Sequence, residues 1–184
     1  LSDEQQSYVA LARDFALNEL APHAARWDAE QYFPVEVIRK AGELGFCGLY
    51  APVEAGGLGL SRLDAHLIFE QLAYGCTATT AYITIHNMCT WMVTRFGNDE
   101  LKGRFGAKLT SGEWLASYCL TEPGAGSDAV NLRTSARREG DHYVVNGAKC
   151  FISGAGSTQL LVVMVRTGVE GDKGVSCLVI PGDA

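Results

Sequence analysis

The chain has 184 residues, 47 % of them hydrophobic, which is ample apolar material for a packed globular core. Its formal net charge of −6 at pH 7 gives no general basic field to attract a phosphate backbone, so nucleic-acid binding is not expected. The most apolar stretch, residues 78–93, is interrupted by polar side chains and is shorter than the roughly 20 apolar residues that span a bilayer, so no membrane span is expected.

The first part of the chain, residues 1–111, contains the start and stop signals of helices and is predicted to form an all-α domain. Ser2 and Gln5 stand at capping-box spacing ahead of an apolar helical stripe, and this pattern predicts the first helix. Pro22 should bend or end that helix, because a proline inside a helix lacks the amide hydrogen and clashes with the preceding turn.

Two further helices are predicted from their end signals. A short second helix is expected to begin near Pro34 and to end at Gly45, which suits a left-handed C-terminal cap. Ser61, with Asp64 three residues later, predicts the start of a third helix that stops near Gly75.

A fourth helix, predicted over residues 77–96, has apolar residues on nearly every side, which is typical of a helix surrounded by protein. We interpret its His86 and Asn87 as core polar groups with internal hydrogen-bond partners. A single His without a partner at ligand spacing does not make a metal site. Asn98 is predicted to cap a fifth helix.

From residue 112 onward the period changes to that of strands, which predicts a partial antiparallel β-barrel or sandwich and an α+β fold class overall. Turn residues separate five β-rich runs, residues 114–121, 142–145, 148–152, 160–167 and 175–180. Asn146-Gly147 predicts a type I′ hairpin between the second and third runs, and further turns are predicted at Gly140-Asp141 and Gly171-Asp172. Such an open sheet is expected to need more chain or a partner to cover its edges.

The most informative stretch is the loop that follows the first predicted strand, Tyr118-Cys119-Leu120-Thr121-Glu122-Pro123-Gly124-Ala125-Gly126-Ser127-Asp128. It can approach a ligand closely because Gly124 and Gly126 lack Cβ atoms, and its consecutive N–H groups can bind phosphate. With Ala129 the two glycines also satisfy the dinucleotide pattern G-x-G-x-x-A. A Rossmann unit, however, needs a helix directly after the glycines, whereas residues 131–138 read as a turn and a strand. Taken alone, such a segment is most often only a turn.

With this loop in place, the sequence resembles the acyl-CoA dehydrogenase family over its whole length. The other segments that carry the resemblance are residues 1–6, Gly56-Gly57-Leu58-Gly59, the helix 76–96 and Asn146-Gly147-Ala148-Lys149. Residues 80–89 and 151–156 are similar to the branch of the family that acts on short branched acyl-CoAs such as isobutyryl-CoA, in valine catabolism.

The resemblance implies a FAD-dependent oxidation of an acyl-CoA to the 2-enoyl-CoA, in which a carboxylate removes the α-proton while the β-hydride passes to the flavin. In the family that carboxylate lies in a C-terminal helical domain, beyond the two domains expected here at residues 1–111 and 112–184. The chain by itself is therefore expected to be inactive, and Glu122 is expected to order the loop rather than act as the base. Electron-transfer flavoprotein is the implied electron acceptor, and a homotetramer is the implied assembly.

The resemblance also implies the residues of the site. Cofactor contacts are expected at Tyr118, Cys119, Leu120, Thr121, Glu122, Pro123, Gly124, Ala125, Gly126, Ser127, Phe151, Ile152 and Ser153. The Thr121 hydroxyl is expected beside the N5/O4 edge of the flavin, where a donor stabilises the charge that develops on reduction.

Further roles follow from the same resemblance. Gly126 and Ser127 are expected at the flavin phosphates, and Ser127 also at the acyl-CoA. Phe151 and Ser153 match an aromatic and a hydroxyl residue that contact the flavin, where many members have Trp and Thr. Tyr82 is expected either to line and shorten the acyl pocket or to serve only as a core aromatic.

Two alternatives to the dehydrogenase stay open at this point. One is a non-catalytic module that binds flavin or acyl-CoA, and the other is a flavin oxidase of the same fold.

The cysteines bear on the compartment. No C-x-x-C pair and no Cys–His metal spacing occurs among Cys47, Cys76, Cys89, Cys119, Cys150 and Cys177. We interpret the six as reduced thiols of an intracellular protein, in the bacterial cytoplasm or the mitochondrial matrix. The first residues show no basic and apolar signal regions, so a secretory signal is not expected.

Overall fold

The computed structural model describes residues 1–168 and 172–184, which divide into two compact units, Leu1–Leu115 and Ala116–Ala184. The first unit is helical and the second is built on a five-stranded sheet, so the predicted α+β class is confirmed. The turn predicted at Gly171-Asp172 depends on Gly171, which lies outside the described residues.

Six α-helices form the described part of the first unit: α1 (Asp3–Phe15), α2 (Ala24–Glu30), α3 (Val35–Glu43), α4 (Arg62–Gly75), α5 (Thr77–Phe96) and α6 (Asp99–Thr110). A π-helical turn, Ala16–Leu20, continues α1, and Pro22 follows the end of that turn, as predicted. No helix within residues 1–168 and 172–184 combines the length and the apolar character that crossing a lipid bilayer requires.

Local caps start three of these helices where the sequence predicted. The Ser2 hydroxyl accepts a hydrogen bond from the Gln5 N–H at 3.1 Å and completes a capping box. Ser61 makes the equivalent bond to the Asp64 N–H at the start of α4. At the start of α6, the side chain of Asn98 caps the helix by accepting from an N–H of its first turn. These bonds satisfy amide hydrogens that the first turn of a helix leaves without partners.

The polar pair on α5 is buried and internally satisfied. The Asn87 side chain accepts a hydrogen bond from the Leu49 N–H at 2.8 Å and donates to the Phe46 carbonyl at 2.7 Å. His86 Nε2 lies 2.9 Å from the Leu109 carbonyl oxygen. Burial lowers the pKa of His86 to about 4, so its imidazole is neutral at pH 7. The interpretation of both residues as core polar groups is confirmed.

The sheet is mixed, so the expectation of a purely antiparallel sheet was wrong. Its strands are β1 (Ala116–Cys119), β2 (Ser135–Glu139), β3 (His142–Asn146), β4 (Leu160–Arg166) and β5 (Val175–Pro181). Strand β4 pairs in parallel with β1 and, at its end, with β2, while it pairs antiparallel with β5. Parallel pairing needs a long crossover. The segment between β1 and β4, which carries the β2–β3 hairpin, supplies that crossover.

The observed hairpin is formed by β2 and β3, one strand earlier in the chain than the hairpin predicted from Asn146-Gly147. β2 and β3 pair antiparallel about Gly140-Asp141, with Glu139 opposite His142, so the turn predicted there is confirmed. The predicted hairpin at Asn146-Gly147 was wrong, because residues 148–152 form no strand. Gly147 has φ +154°. A Cβ on it would clash with Thr134, the residue before β2, so this glycine permits a close approach instead of a turn.

Candidate functional site

The loop after β1 is irregular and is closed by a tight turn. The N–H of Glu122 donates to the carbonyl of Ala125, and the N–H of Ala125 donates to the carbonyl of Glu122, both at 3.1 Å. Pro123 and Gly124 are therefore the two central residues of this turn. The fixed φ of proline suits the first of the two central positions of a β-turn. Only a three-residue 3₁₀ turn, Ala129–Asn131, precedes β2. The prediction that no Rossmann helix follows the glycines is confirmed.

The protein's own packing does not require glycine at either exposed position of this loop. Neither Gly124 nor Gly126 has a positive φ. A Cβ on Gly124 would meet no atom within 4 Å, and one on Gly126 would meet only Thr121 Cγ2 at 3.9 Å. Glycine at such positions leaves the backbone open to close approach by another molecule.

The side chain of Glu122 anchors the loop from within. Its carboxylate accepts hydrogen bonds from the Arg133 N–H at 2.6 Å, the Thr134 N–H at 2.8 Å and the Lys149 ammonium at 2.8 Å. Burial disfavours its ionised form, but these donors outweigh burial and lower the pKa of Glu122 to about 2. The carboxylate is a poor proton acceptor near neutral pH, which agrees with the expectation that it orders the loop.

Lys149 joins a second segment to the same loop, a role that was not predicted from the sequence. Its side chain is 10 % exposed, and its ammonium donates to the Leu120 carbonyl at 3.0 Å as well as to Glu122. The N–H of Cys150 donates to the Thr121 carbonyl at 2.9 Å. The available signal was a single Lys between Ala148 and Cys150, in a run that was predicted to be a strand.

Phe151 is held in a strained and solvent-exposed position. Its φ is +57° and its side chain is 93 % exposed. A bulky residue in this region costs on the order of 1–3 kcal/mol, and such strain concentrates at functional sites. Ile152 packs into the core of the sheet unit, and the carbonyl of Ser153 accepts a hydrogen bond from the buried Ser117 hydroxyl at 2.7 Å. The chain on either side of the aromatic ring is therefore fixed.

The remaining predicted cofactor positions differ in what they present. Cys119 is buried in the core, and burial raises the pKa of its thiol, so any contact with a ligand there would be made by its main chain. Tyr118 and Leu120 are half-buried, and Ser127 is exposed. The Thr121 hydroxyl has no hydrogen-bond partner among the described residues. The bond between residues 121 and 150 joins the segments that carry the predicted positions Thr121 and Phe151.

Tyr82 belongs to the helical unit. Its ring is 2 % exposed and packs edge-on against Phe33, with 4.7 Å between the ring centroids. An open cavity of this unit is lined by Trp27, Phe33 and Thr79, and Tyr82 is not among its described lining residues. The core-aromatic interpretation accounts for these contacts, and a role in an acyl pocket stays a prediction.

Two family models match the chain. The first, described as the N-terminal domain of acyl-CoA dehydrogenase, matches residues 2–113. The second, described as the middle domain of acyl-CoA dehydrogenase, matches residues 117–184. The second match contains the loop, Lys149 and Phe151.

Individual proteins of known sequence or structure are also similar. The mitochondrial isobutyryl-CoA dehydrogenase of Bos taurus is 54 % identical over 180 residues, covering 98 % of this chain and 43 % of the relative. The protein of the same name from Dictyostelium discoideum is 50 % identical over 184 residues, covering 100 % and 44 %. A solved structure described as the FAD complex of PigA has a TM-score of 0.92 and 30 % identity, covering 98 % and 48 %. The chain spans less than half the length of the curated relatives it matches.

Proposed function

Since the chain belongs to the acyl-CoA dehydrogenase family, we propose that its protein oxidises the Cα–Cβ bond of an acyl-CoA to give the 2-enoyl-CoA, with FAD as the cofactor. The observation that carries this proposal is the pairing of an exposed, strained Phe151 with a loop whose glycines the protein's own packing does not require. When bound, FAD supplies the two-electron acceptor for this reaction.

The residues of the loop suit the chemical parts of a flavin. The exposed ring of Phe151 offers an apolar face for the isoalloxazine ring, and the Thr121 hydroxyl offers a donor for its polar edge. The exposed backbone around Gly126 and Ser127 offers N–H groups for the phosphates. Tyr118, Leu120 and Ser153 complete the proposed cofactor site through main-chain and hydroxyl groups.

The proposed substrate is a short branched acyl-CoA, of the isobutyryl-CoA type. Support comes from the identity of 54 % and 50 % to two proteins named isobutyryl-CoA dehydrogenase. We assign Ser127 a contact to the acyl-CoA, and we assign Tyr82 the task of limiting the depth of the acyl pocket. No carboxylate of this chain is assigned the role of the base, and the low pKa of Glu122 supports leaving that residue out.

The proposal extends to the setting of the reaction. We propose electron-transfer flavoprotein as the electron acceptor, a homotetramer as the assembly, and a step of valine catabolism as the context. The names of the two relatives support the mitochondrial matrix as the compartment. We propose that residues 1–111 and 112–184 act as the helical domain and as part of the middle, flavin-binding domain.

Anaerobic titration of the purified full-length protein tests the proposal. We expect a yellow protein whose flavin absorbance bleaches on addition of isobutyryl-CoA. A colourless protein that binds no added FAD would refute the flavin role. Bleaching by a straight long-chain acyl-CoA but not by isobutyryl-CoA would refute the branched substrate. Rapid hydrogen peroxide production in air would identify an oxidase, and flavin that no acyl-CoA reduces would identify a binding module.

A further inference from the structure

The ion pair between Glu122 and Lys149 differs from the other ion pairs of the described residues in its burial. Its side chains are 6 % and 10 % exposed, with 2.8 Å between Nζ and Oε1. The pair of Lys40 and Glu19 has the same 2.8 Å distance, but its side chains are 54 % and 36 % exposed. Taking two charges out of water is costly, and an apolar pair often stabilises a fold as well or better. The buried charges therefore call for an explanation beyond stability.

Lys149 and its neighbour Cys150 tie three consecutive residues of the loop to a second segment. The Lys149 ammonium binds Leu120 through its carbonyl and Glu122 through its carboxylate, and these residues flank Thr121. The Thr121 carbonyl itself accepts from the Cys150 N–H. Every one of these bonds uses a main-chain atom or the Glu122 carboxylate, so the Thr121 hydroxyl is not consumed.

The carboxylate extends the same connection to a third segment. Its oxygens accept hydrogen bonds from the N–H groups of Arg133 and Thr134, which directly precede β2. The ammonium has three donors, so it can hold a carbonyl and a carboxylate at the same time. An apolar side chain of the same length would leave the Leu120 carbonyl without this partner. The charge is thus needed for the tether rather than for packing.

We propose that Lys149 and Glu122 are positioning residues for the flavin, whose side chains fix the separation between the Thr121 hydroxyl and the Phe151 ring through their bonds to the chain. The inference rests on the proposed function. Thr121 lies between the two tethered residues, and Phe151 follows Lys149 by two positions. A site is held to its productive geometry by such supporting contacts, and losing them loosens the site even where every contact residue is present.

Three variants of the full-length protein separate positioning from stability. Lys149→Met leaves a buried carboxylate without its cation, and we expect a lower melting temperature together with weaker FAD binding. The double variant Lys149→Met/Glu122→Gln removes that uncompensated charge but does not restore the Leu120 tether. The matched control Lys40→Met/Glu19→Gln removes an exposed pair of the same length.

FAD dissociation constants, flavin midpoint potentials and melting temperatures are then measured for each variant and for the wild type. In the double variant we expect the melting temperature to recover most of the loss. We expect FAD binding to stay weaker by on the order of tenfold, which corresponds to about 1.4 kcal/mol, and the midpoint potential to stay shifted. The control should match the wild type in affinity and potential.

The outcomes distinguish the inference from the function on which it rests. A double variant that regains wild-type FAD affinity and midpoint potential along with its stability would show a purely structural pair, and would overturn the inference alone. A wild-type protein that binds no FAD would overturn the proposed function and the inference together.

Discussion

A Cβ atom placed on Gly147 would lie 2.3 Å from the hydroxyl oxygen of Thr134, so these two residues approach as closely as a glycine allows. That hydroxyl oxygen is buried and has no hydrogen-bond partner among the described residues. The contact brings the start of the Lys149 segment against the residues that enter β2. Both segments bind the Glu122 carboxylate.

Gly147→Ala is expected to destabilise the protein, because the added methyl group has no room and φ +154° is unfavourable for alanine. Overpacking of this kind costs about 1–3 kcal/mol, measured as a fall in the free energy of unfolding in urea. Gly124→Ala is the matched control, since its Cβ meets no atom within 4 Å. We expect it to keep full stability while weakening FAD binding. Equal stability of the two variants would contradict this description.

Phe151→Gly is expected to separate strain from binding. Glycine adopts φ +57° without a steric cost, so relief of the strain offsets the greater freedom of the unfolded chain, and the free energy of unfolding should change by less than about 1 kcal/mol. The exposed ring makes little packing that could be lost. FAD affinity, measured by fluorescence titration, should nevertheless fall. Tight FAD binding by this variant would remove Phe151 from the proposed site.

Thr121→Ala is expected to impair flavin reduction more than folding. The hydroxyl has no partner among the described residues, so its loss leaves no buried group unsatisfied. Loss of one donor that stabilises developing charge costs about 10²–10³ in rate in well-studied enzymes. Stopped-flow measurement of flavin bleaching gives the rate, and thermal unfolding gives the stability. Thr121→Ser is the control that restores the hydroxyl, and its rate should return toward that of the wild type.

The free energy of unfolding is expected to decrease as pH falls, over two successive pH ranges. The folded pKa of His86 is lowered from 6.5 to about 4, so the unfolded chain takes up its proton first and stability is lost as pH falls from about 6.5 to 4. The folded pKa of Glu122 is lowered from 4.5 to about 2, so its contribution is present above pH 4.5 and is lost toward pH 2.

Each contribution is at most about 3.5 kcal/mol, because a tenfold change in proton affinity is worth about 1.4 kcal/mol and each folded pKa lies about 2.5 below its ordinary value. Urea unfolding of the wild type and of His86→Gln across the upper window checks the first contribution, and Glu122→Gln across the lower window checks the second. A wild-type slope that each variant retains in its own window would refute the assignment.

Features that depend on neighbours along the chain could be predicted from the amino-acid sequence. The starts of α1, α4 and α6 follow from Ser2, Ser61 and Asn98, because a cap is a bond between residues three positions apart. The glycine loop and its lack of a following helix were readable for the same reason. The resemblance of the loop to a known family added the cofactor, which no periodicity in the sequence predicts.

Features that depend on pairing between distant residues could not be predicted in this way. Glu122 and Lys149 are 27 positions apart, and nothing local marks either one as buried or paired. The location of the hairpin also depends on distant contacts. Gly147 is required by its close approach to Thr134, and not by a turn with its own neighbours. Parallel pairing of β1 with β4 likewise joins residues across the whole hairpin. Such contacts are selected by the packing of the complete unit, because their free energy is gained only once the intervening chain is folded.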